Sequence, residues 1–453
     1  MKSDLILRGG MVVTGTTIQR LDISIADGKI DAVGENIPHD GREQINAEQL
    51  HIFPGLIDSH VHFNEPGRAH WEGFETGSSA LAAGGGTLFF DMPLNAHPPT
   101  VDAESFDEKR RAAQKTSLTD FAFWGGLVPG NLDKLEELSE RGVIGFKAFM
   151  SDSGMDDFSC ADDFTLREGM KRAAKLGKIV AVHAESESMT KMLAAERIAK
   201  NQTSIRDYLD SRPVAAELDA IKRALELAGE TGCALHIVHV SSGAGIALIS
   251  EAKSRSVNVS CETCPHYLAL TKADMEQLGA VAKCAPALRS ADGQENLWKS
   301  FASGEIDTIG SDHSPSPPEM KTGDNFFKVW GGISGAQHTL PILISEGHVK
   351  RGIALPLISK LTSFNVATRF SLPQTKGRIE VGADADFALI DLSGIFRVNA
   401  DELFYRHPQS PYVGRSLRGT ILRTILRGQT IFKDGKIVSP SIGRLVKPAQ
   451  GNE

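Results

Sequence analysis

Residues 52–62 of the chain are Ile-Phe-Pro-Gly-Leu-Ile-Asp-Ser-His-Val-His, an apolar run that ends in two histidines separated by one residue. An apolar run of this length is typical of a strand that is buried on both faces of a parallel sheet. Because side chains alternate along a strand, the imidazoles of His60 and His62 project to the same face. The segment predicts a buried strand that presents two histidines at its carboxyl end.

Seven further apolar runs follow, with helical stretches such as residues 216–227 and 243–252 between them. The seven runs cover residues 87–92, 121–127, 143–150, 179–183, 235–240, 257–261 and 306–311. Strands that alternate with helices are typical of a parallel sheet covered by helices. Eight such units favour a barrel over an open sheet, because a closed barrel leaves no edge strands to protect. We therefore predict an α/β protein whose main domain is a (β/α)8 TIM barrel.

Both ends of the chain have a different pattern, in which short apolar runs are separated by turns that contain glycine. Asp27-Gly28 and Asp434-Gly435 are predicted hairpin turns. Residues 425–428 (Ile-Leu-Arg-Gly) repeat residues 6–9. We expect the two termini to share one small β-sandwich domain. The predicted domains are residues 1–53 and 376–453 for the two parts of the sandwich and its tail, and residues 54–375 for the barrel.

The charge balance argues against nucleic acid as a partner. The chain has 57 acidic and 49 basic side chains, a formal net charge of −8, and no run of lysine or arginine that could follow a phosphate backbone. No apolar stretch approaches the roughly 20 residues of a membrane span, and the first ten residues contain no signal-peptide core. We expect a cytoplasmic protein without nucleic-acid or membrane partners.

Five cysteines are scattered along the chain, and an odd number does not indicate the disulfide framework of a secreted protein. They are Cys160, Cys233, Cys261, Cys264 and Cys284. The Cys261-x-x-Cys264 pair has no second ligand pair at zinc-site spacing. We expect reduced thiols and packing of this pair at a strand end, with a structural zinc site as the alternative.

Polar side chains end five of the predicted strands, which is where a barrel places its functional groups. They are His60, His62, Lys147, His183, His239 and Asp312. Imidazole and carboxylate groups suit zinc and related divalent ions. A catalytic zinc normally takes three protein ligands and keeps one position open, so four histidines and one aspartate predict two metal ions.

A structural interpretation stays open for each of these residues taken singly. Lys147 can be an ion-pair partner and Asp312 a loop cap. For the whole set, however, this interpretation requires five independent coincidences, because all of these side chains lie at the same end of the predicted barrel. The sequence does not settle how Lys147 would serve two metals, since its pKa of about 10.4 must first be lowered. Because His236 is three residues from His239 on one strand, and His313 is adjacent to Asp312, both are expected to face away from the interior. His266 is placed near the pocket.

The order H-x-H, lysine, histidine, histidine, aspartate resembles the amidohydrolase superfamily over essentially the whole chain, and within it the cyclic amidases: dihydroorotases, hydantoinases, dihydropyrimidinases and allantoinases. The resemblance implies that His60, His62 and Asp312 hold one metal and that His183 and His239 hold the other. It implies that Lys147 is modified to N6-carboxylysine and bridges the two ions. Asp312 would also be the catalytic general base. Zinc is expected, with cobalt, manganese or iron as alternatives.

The loops narrow the resemblance to the allantoinase group. The arginine that dihydroorotases carry after H-x-H is missing, because Phe63-Asn64 follows His62. Several segments are similar to allantoinases: residues 65–73, 91–95, 264–267, 311–315, 317–321, 330–333, 405–407, 410–412 and 414–415. One departure is Ala285-Pro286-Ala287, where that group has a Ser-Pro-Pro-like run.

This resemblance implies a homotetramer that hydrolyses the hydantoin ring of allantoin to allantoate in purine degradation, by means of a hydroxide that bridges the metals. It implies substrate contacts by Asn95, Ser314, and the backbone near Ala285 and Gly332. A hydantoinase or dihydropyrimidinase is the first alternative. A non-enzymatic scaffold built on the same fold is the second.

Overall fold

The strands of the computed structural model occur in three successive groups. The structure describes residues 4–38 and 43–449. In chain order the strands are β1 (Leu5–Val13), β2 (Ile18–Ala26), β3 (Lys29–Gly34), β4 (Glu43–Asn46), β5 (His51–Pro54), β6 (Leu56–Val61), β7 (Gly86–Asp91), β8 (Asp120–Phe123), β9 (Gly125–Gly126), β10 (Gly145–Phe149), β11 (Ile179–His183), β12 (Leu235–Ile237), β13 (Val259–Thr263), β14 (Thr308–Ile309), β15 (Phe387–Arg397), β16 (Ser416–Leu426), β17 (Gln429–Lys433) and β18 (Lys436–Ile437).

Helices separate the strands of the middle group and follow its last strand. The α-helices are α1 (Phe74–Ala83), α2 (Ala103–Thr116), α3 (Leu135–Arg141), α4 (Asp163–Lys175), α5 (Glu187–Ala199), α6 (Ile205–Ser211), α7 (Val214–Thr231), α8 (Gly243–Ser254), α9 (Pro265–Ala269), α10 (Lys272–Leu278), α11 (Ala291–Ala302), α12 (Thr339–Ile342), α13 (Leu355–Ser359) and α14 (Asn365–Arg369). Wider π-helical turns extend α12 and α13 over Leu343–Val349 and Lys360–Phe364. No helix among the described residues is long and apolar enough to cross a membrane.

Strands from both termini form one nine-stranded sheet. Its order is β18-β17-β16-β15-β5-β1-β2-β3, with β4 paired to β1. The two predicted hairpin turns are confirmed, because Ala26 pairs with Lys29 and Lys433 pairs with Lys436. The N- and C-terminal parts meet where β5 runs antiparallel to β15. Residues 1–3, 39–42 and 450–453 of the predicted terminal domain lie outside the described residues.

The middle strands form two parallel sheets, ordered β6-β7-β8 and β14-β13-β12-β11-β10-β9. The first predicted strand is in fact two strands, since β5 belongs to the terminal sheet and β6 begins after Gly55. A Cβ at Gly55 would lie 2.2 Å from Thr87 Oγ1, so only glycine allows the chain to pass from one sheet to the other at this point. The third predicted strand is divided into β8 and β9 at Trp124, whose backbone N–H donates to Asp91 O at 3.0 Å.

The two parallel sheets meet at both of their ends. Ile144 N donates to Phe123 O at 2.9 Å next to β8, and His62 N donates to His313 O at 2.7 Å beyond β6. Val61 and His313 also form a parallel bridge. The parallel order and these contacts are consistent with a barrel.

Alternate side chains of the parallel strands pack on opposite faces, as the two-residue period of a strand requires. Phe146 and Val180 belong to the outer core beneath the helices, whereas Leu88, Phe90 and Ala181 belong to a separate inner cluster. Helix α7 illustrates the outer layer, because its buried residues repeat with the helical period and form one face: Ala216, Glu217, Ala220, Ile221, Ala224, Leu225, Leu227 and Ala228. This packing fixes the strand ends that carry the site.

Candidate functional site

A cavity of about 880 Å³ lies at the carboxyl ends of the parallel strands. It is lined by nine of the residues singled out in the sequence: His60, His62, Asn95, His183, His239, Ala285, Asp312, Ser314 and Gly332. Lys147 is fully buried on β10. The predicted site residues therefore come together at the predicted end of the sheet.

Three of these side chains converge on one point. The Nε2 atoms of His60 and His62 lie 3.2 and 3.4 Å from Asp312 Oδ1. One donor atom from each of the three residues falls within 4.8 Å of the other two. Asp312 is held at φ 47°, a strained conformation for a residue other than glycine that is common at functional sites. The donors and their spacing suit one divalent ion.

A second group is formed by His183 and His239. His183 Nδ1 lies 2.9 Å from His239 Nε2, and the two rings meet edge to face. The ring centroids of His239 and His60 are 5.4 Å apart, so the two groups are neighbours. His239 also has a positive φ, 41°.

Glu262, which the sequence analysis did not single out, orients His60. Its Oε1 lies 2.8 Å from His60 Nδ1, and its Oε2 accepts a 2.6 Å bond from Ser59 Oγ. Burial acts to raise the pKa of Glu262, but His60 and His236 outweigh it and hold that pKa well below its usual range. The ionised carboxylate accepts a hydrogen bond from the Nδ1–H group of His60. The Nε2 lone pair of His60 is therefore free to face Asp312.

Glu185 plays the same part for His183 and was also missed. His183 Nε2 lies 2.9 Å from Glu185 Oε2, which also accepts a 2.5 Å bond from Arg212. Burial opposes ionisation of Glu185, yet Arg212 and His183 lower its pKa to about 2. Because the ionised carboxylate accepts a hydrogen bond from the Nε2–H group of His183, the Nδ1 lone pair of that ring faces His239. The sequence feature that could have identified both residues is a glutamate within a buried strand, as for Glu262, or directly after one, as for Glu185.

Lys147 is buried with no hydrogen-bond partner for its Nζ atom among the described residues. The Nζ atom lies 4.7 Å from the centroid of the Phe149 ring, which stacks on His183. Burial lowers the pKa of Lys147 to about 7, although Asp312 and Glu262 oppose the shift. An unpaired buried ammonium is costly, so this amine is suited to carry a modification or to bind a ligand. Together with the clustered imidazoles and carboxylate, it fits a metal centre.

The other three histidines are buried near this rim. His236 Nδ1 lies 2.7 Å from Ser260 Oγ, and His313 Nδ1 accepts a 3.1 Å bond from Gly335 N. Neither ring nitrogen of His266 has a partner within residues 4–38 and 43–449. Burial lowers the pKa of His266 to about 4, so its imidazole is neutral near pH 7.

The cysteines do not form a metal site with other ligands in the part of the chain that the structure describes, where His60, His62 and Asp312 are the only such cluster found. All five are free, and Cys261 and Cys264 are buried. Cys261 Sγ lies 3.6 Å from Glu305 O. Both belong to the main hydrophobic core, in agreement with the expected packing of this pair.

The loops that carry the expected substrate contacts are held by specific bonds. Arg68 donates to Asn95 O and Ala96 O, both at 3.1 Å. Gly332 has φ 130°, and a Cβ there would lie 2.3 Å from Ser314 O. Gly332 N donates to Lys283 O at 2.7 Å, so this N–H is already occupied.

Comparisons with known proteins agree with the site. The chain matches the amidohydrolase family model over residues 51–435. It is 54% identical over 445 residues to an allantoinase of Rubrobacter xylanophilus, covering 98% of each chain, and 51% identical over 448 residues to an allantoinase of Deinococcus radiodurans, covering 99% of each. The L-hydantoinase (dihydropyrimidinase) from Arthrobacter aurescens superposes with a TM-score of 0.96 at 33% identity, covering 98% of this chain and 100% of that one. The chain therefore belongs to the amidohydrolase family.

Proposed function

We propose that this protein is an allantoinase, which hydrolyses the ring amide of allantoin to allantoate in purine degradation. The observation that carries the proposal is the identity of about half of all residues with allantoinases over nearly the whole of both chains. The cavity has room for a small polar ring next to the clustered histidines and Asp312. The missing arginine after His62 argues against a dihydroorotate-like carboxylate on the substrate.

We propose that the site holds two divalent metal ions, with zinc as the expected ion and cobalt, manganese or iron as alternatives. The residues that would hold them are His60, His62 and Asp312 for one ion, His183 and His239 for the other, and Lys147 between them. When bound, the ions would lower the pKa of a water and polarise the ring carbonyl. The histidine lone pairs fixed by Glu262 and Glu185 support this assignment.

Lys147 would bridge the ions as an N6-carboxylysine. A neutral amine is needed to react with carbon dioxide, and burial lowers the pKa of Lys147 enough to supply one near pH 7. A bond forms between Nζ and the carbon of carbon dioxide, one C=O π bond opens and one amine proton leaves to solvent. The neutral amine would thereby become an anion with two oxygens that can serve two cations. The lack of any protein hydrogen bond to Nζ within the described residues leaves that atom free to form the new bond.

Asp312 would move the proton during hydrolysis. Burial acts to raise its pKa, but His60 and His62 outweigh this and lower it to about 2, so the carboxylate is ionised at neutral pH. It can accept a proton from the attacking water and return it to the departing ring nitrogen. Substrate contacts are assigned to Asn95 and Ser314 and to the backbone near Ala285 and Gly332, all of which line the cavity.

A hydantoinase or dihydropyrimidinase is the alternative that a specific observation favours, namely the TM-score of 0.96 with such an enzyme. Measuring kcat/KM for allantoin, hydantoin and dihydrouracil with one metal-loaded preparation separates the two. We expect allantoin to give the highest value by at least about tenfold. Equal or better turnover of either other ring would overturn the allantoinase assignment. A non-enzymatic scaffold is disfavoured because all six ligand positions are retained.

Several wider features belong to the same proposal. We propose that the parallel strands close into an eight-stranded barrel over residues 54–375, and that residues 1–53 and 376–453 form a β-sandwich. We also propose a cytoplasmic homotetramer, which light scattering after size-exclusion chromatography would test. A monomer that is fully active would overturn the assembly.

A further inference from the structure

The connection between β15 and β16, residues 398–415, extends from the terminal sheet to the parallel strands. It contains Tyr405-Arg406-His407, a segment similar to allantoinases that has no part in the proposed hydrolysis. The Arg406 backbone N–H donates to Glu72 Oε1 at 3.1 Å, and the Arg406 side chain donates to Glu72 O. Glu72 lies in the loop that follows β6. The connection is therefore fastened to a loop that begins at His62, a proposed metal ligand.

Tyr405 packs on His313, the residue that follows Asp312. The centroids of the two rings are 4.9 Å apart, and their planes are inclined by 34°. The ring of Phe63 meets His313 edge to face, with the centroids 5.8 Å apart. All three side chains are buried. The imidazole of His313 is therefore enclosed by aromatic side chains, one of which comes from the connection between β15 and β16.

The nitrogen atoms of His313 fix the orientation of its ring. Gly335 N donates to Nδ1 at 3.1 Å, so Nδ1 carries the lone pair and the neutral ring carries its proton on Nε2. Nε2 lies 3.7 Å from Glu72 Oε2, which is too long for a hydrogen bond but close enough for attraction between the N–H group and the carboxylate. A ring turned by 180° about its Cβ–Cγ bond would lose the bond from Gly335.

The backbone of His313 is joined to two of the three proposed ligands of one ion. Its carbonyl accepts the backbone N–H of His62 at 2.7 Å, and its own N–H donates to Ser311 Oγ at 3.1 Å. Asp312, which precedes it, has φ 47°. A residue other than glycine keeps such a conformation only where its surroundings hold it there. The anchored ring and backbone of His313 supply that hold.

We propose that His313 is a positioning residue for Asp312 and His62, and that Tyr405 keeps its ring in place. The site on the parallel strands then depends on a side chain that the terminal sheet contributes. The inference rests on the proposed function in taking Asp312 and His62 as metal ligands and Asp312 as the group that moves the proton. His313 is given no contact with substrate, so its loss affects kcat and metal affinity rather than KM.

The first test compares His313→Leu with His313→Asn. Leucine removes the acceptor for Gly335 N, whereas the amide oxygen of asparagine can replace Nδ1. We expect His313→Leu to raise the dissociation constant of one ion by about 10- to 100-fold in chelator competition, while the other ion stays within roughly threefold. On metal-saturated samples its kcat should fall by at least about tenfold, with KM within roughly threefold. His313→Asn should keep a kcat at least about threefold above that of His313→Leu.

His338→Leu is the matched control for these variants. His338 is also a buried histidine, but in the described part of the chain it forms no hydrogen bond with a proposed ligand. Its loss should leave kcat and both metal affinities at wild-type values. Wild-type kcat and affinities in His313→Leu, or equal values in His313→Leu and His313→Asn, would overturn the proposal.

A second pair of variants tests the part of Tyr405 and covers the case in which His313→Leu does not fold. Tyr405→Phe keeps the ring on His313 and loses only the hydroxyl, which accepts Gln337 N at 3.0 Å, whereas Tyr405→Leu loses both. A merely structural Tyr405 would lower the stability of both variants and leave kcat alone. We expect kcat to fall by at least about threefold in Tyr405→Leu and to stay near the wild-type value in Tyr405→Phe. Equal kcat values in the two variants would contradict the proposed contact.

A double variant shows whether Tyr405 acts through His313. Since the contact is already lost in His313→Leu, adding Tyr405→Leu should lower kcat little further, and fully multiplied losses would overturn the coupling. The substrate in all these assays is whichever cyclic amide the wild type hydrolyses fastest. If that ring is not allantoin, the proposed function fails, while the kcat ratios and the metal affinities still measure the role of His313.

Discussion

Replacing Glu262 with glutamine should weaken one of the two proposed metal positions and spare the other. Glu262 is fully buried, 2.8 Å from His60 Nδ1 and 2.6 Å from Ser59 Oγ, and within the described residues it forms no hydrogen bond or ion pair with His183 or His239. Glutamine keeps the shape but removes the negative charge that fixes the proton of His60. Loss of such a carboxylate partner typically costs 10- to 100-fold in metal affinity, or about 1.4–2.8 kcal/mol.

The assay is chelator competition on the purified protein, which resolves the affinities of the two ions. We expect one dissociation constant to rise by about 10- to 100-fold and the other to stay within roughly threefold. Glu217→Gln is the matched control, because Glu217 is a buried carboxylate that accepts bonds from Ser241 and Ser242 and contacts no proposed ligand. Two unchanged affinities in Glu262→Gln, or equal weakening in both variants, would refute the argument that Glu262 acts through His60.

Four further predictions address the site and the fold. Lys147→Ala should lose metal and activity, and short carboxylic acids, which can take the place of the carboxylated side chain, should restore part of both. An unchanged metal content in this variant would show that Lys147 has only a structural role. Asp312→Asn should keep most of its metal and lose about 10²–10⁴-fold or more in kcat, measured on metal-matched samples; near wild-type turnover would assign the proton to another group. Gly332→Ala should strain the loop, since its Cβ would lie 2.3 Å from Ser314 O, and should lower the free energy of unfolding by about 1–3 kcal/mol and raise KM. A wild-type free energy of unfolding together with a wild-type KM would contradict the close contact between Gly332 and Ser314. Burial lowers the pKa of His338 to about 4, below its value in the unfolded chain, so between about pH 6.5 and 4 the unfolded state binds a proton that the folded state does not, and the free energy of unfolding falls as the pH falls. Urea titrations of His338→Leu should show a fall that is shallower by at most about 1.4 kcal/mol per pH unit. An unchanged slope would show that His338 is not its source.

The sequence predicted most of the fold because its strands are buried on both faces. Such strands are continuous apolar runs, which stand out without an alignment, and β11 begins and ends at the predicted residues. The division at Gly55 could not be predicted, because it depends on contact with Thr87 on a neighbouring strand. Pairing of β5 with β15 joins segments more than 300 residues apart, which local patterns do not encode.

The sequence predicted which residues cluster at the site, but it did not predict the residues that hydrogen-bond to them. Most candidate ligands lie at the end of an apolar run or just beyond it, so position along the strand was enough to find them, whereas Lys147 lies in the middle of β10 and was found because a lysine interrupts the run. Glu262 and His60 are 202 residues apart in the chain, and their contact exists only once the strands are assembled. Glu185 is only two residues after His183 in the sequence, but its role is visible only in the structure, where its carboxylate accepts a hydrogen bond from Nε2 of His183.

The most direct test of the two-metal allantoinase assignment is a metal titration of allantoin hydrolysis. Metal-depleted protein would be supplied with bicarbonate and increasing zinc, and the rate of allantoate formation would be recorded against bound metal per chain. The assignment predicts that the rate rises to a plateau at two ions per chain. Full activity at one ion or none, or no hydrolysis of allantoin with two ions bound, would contradict it.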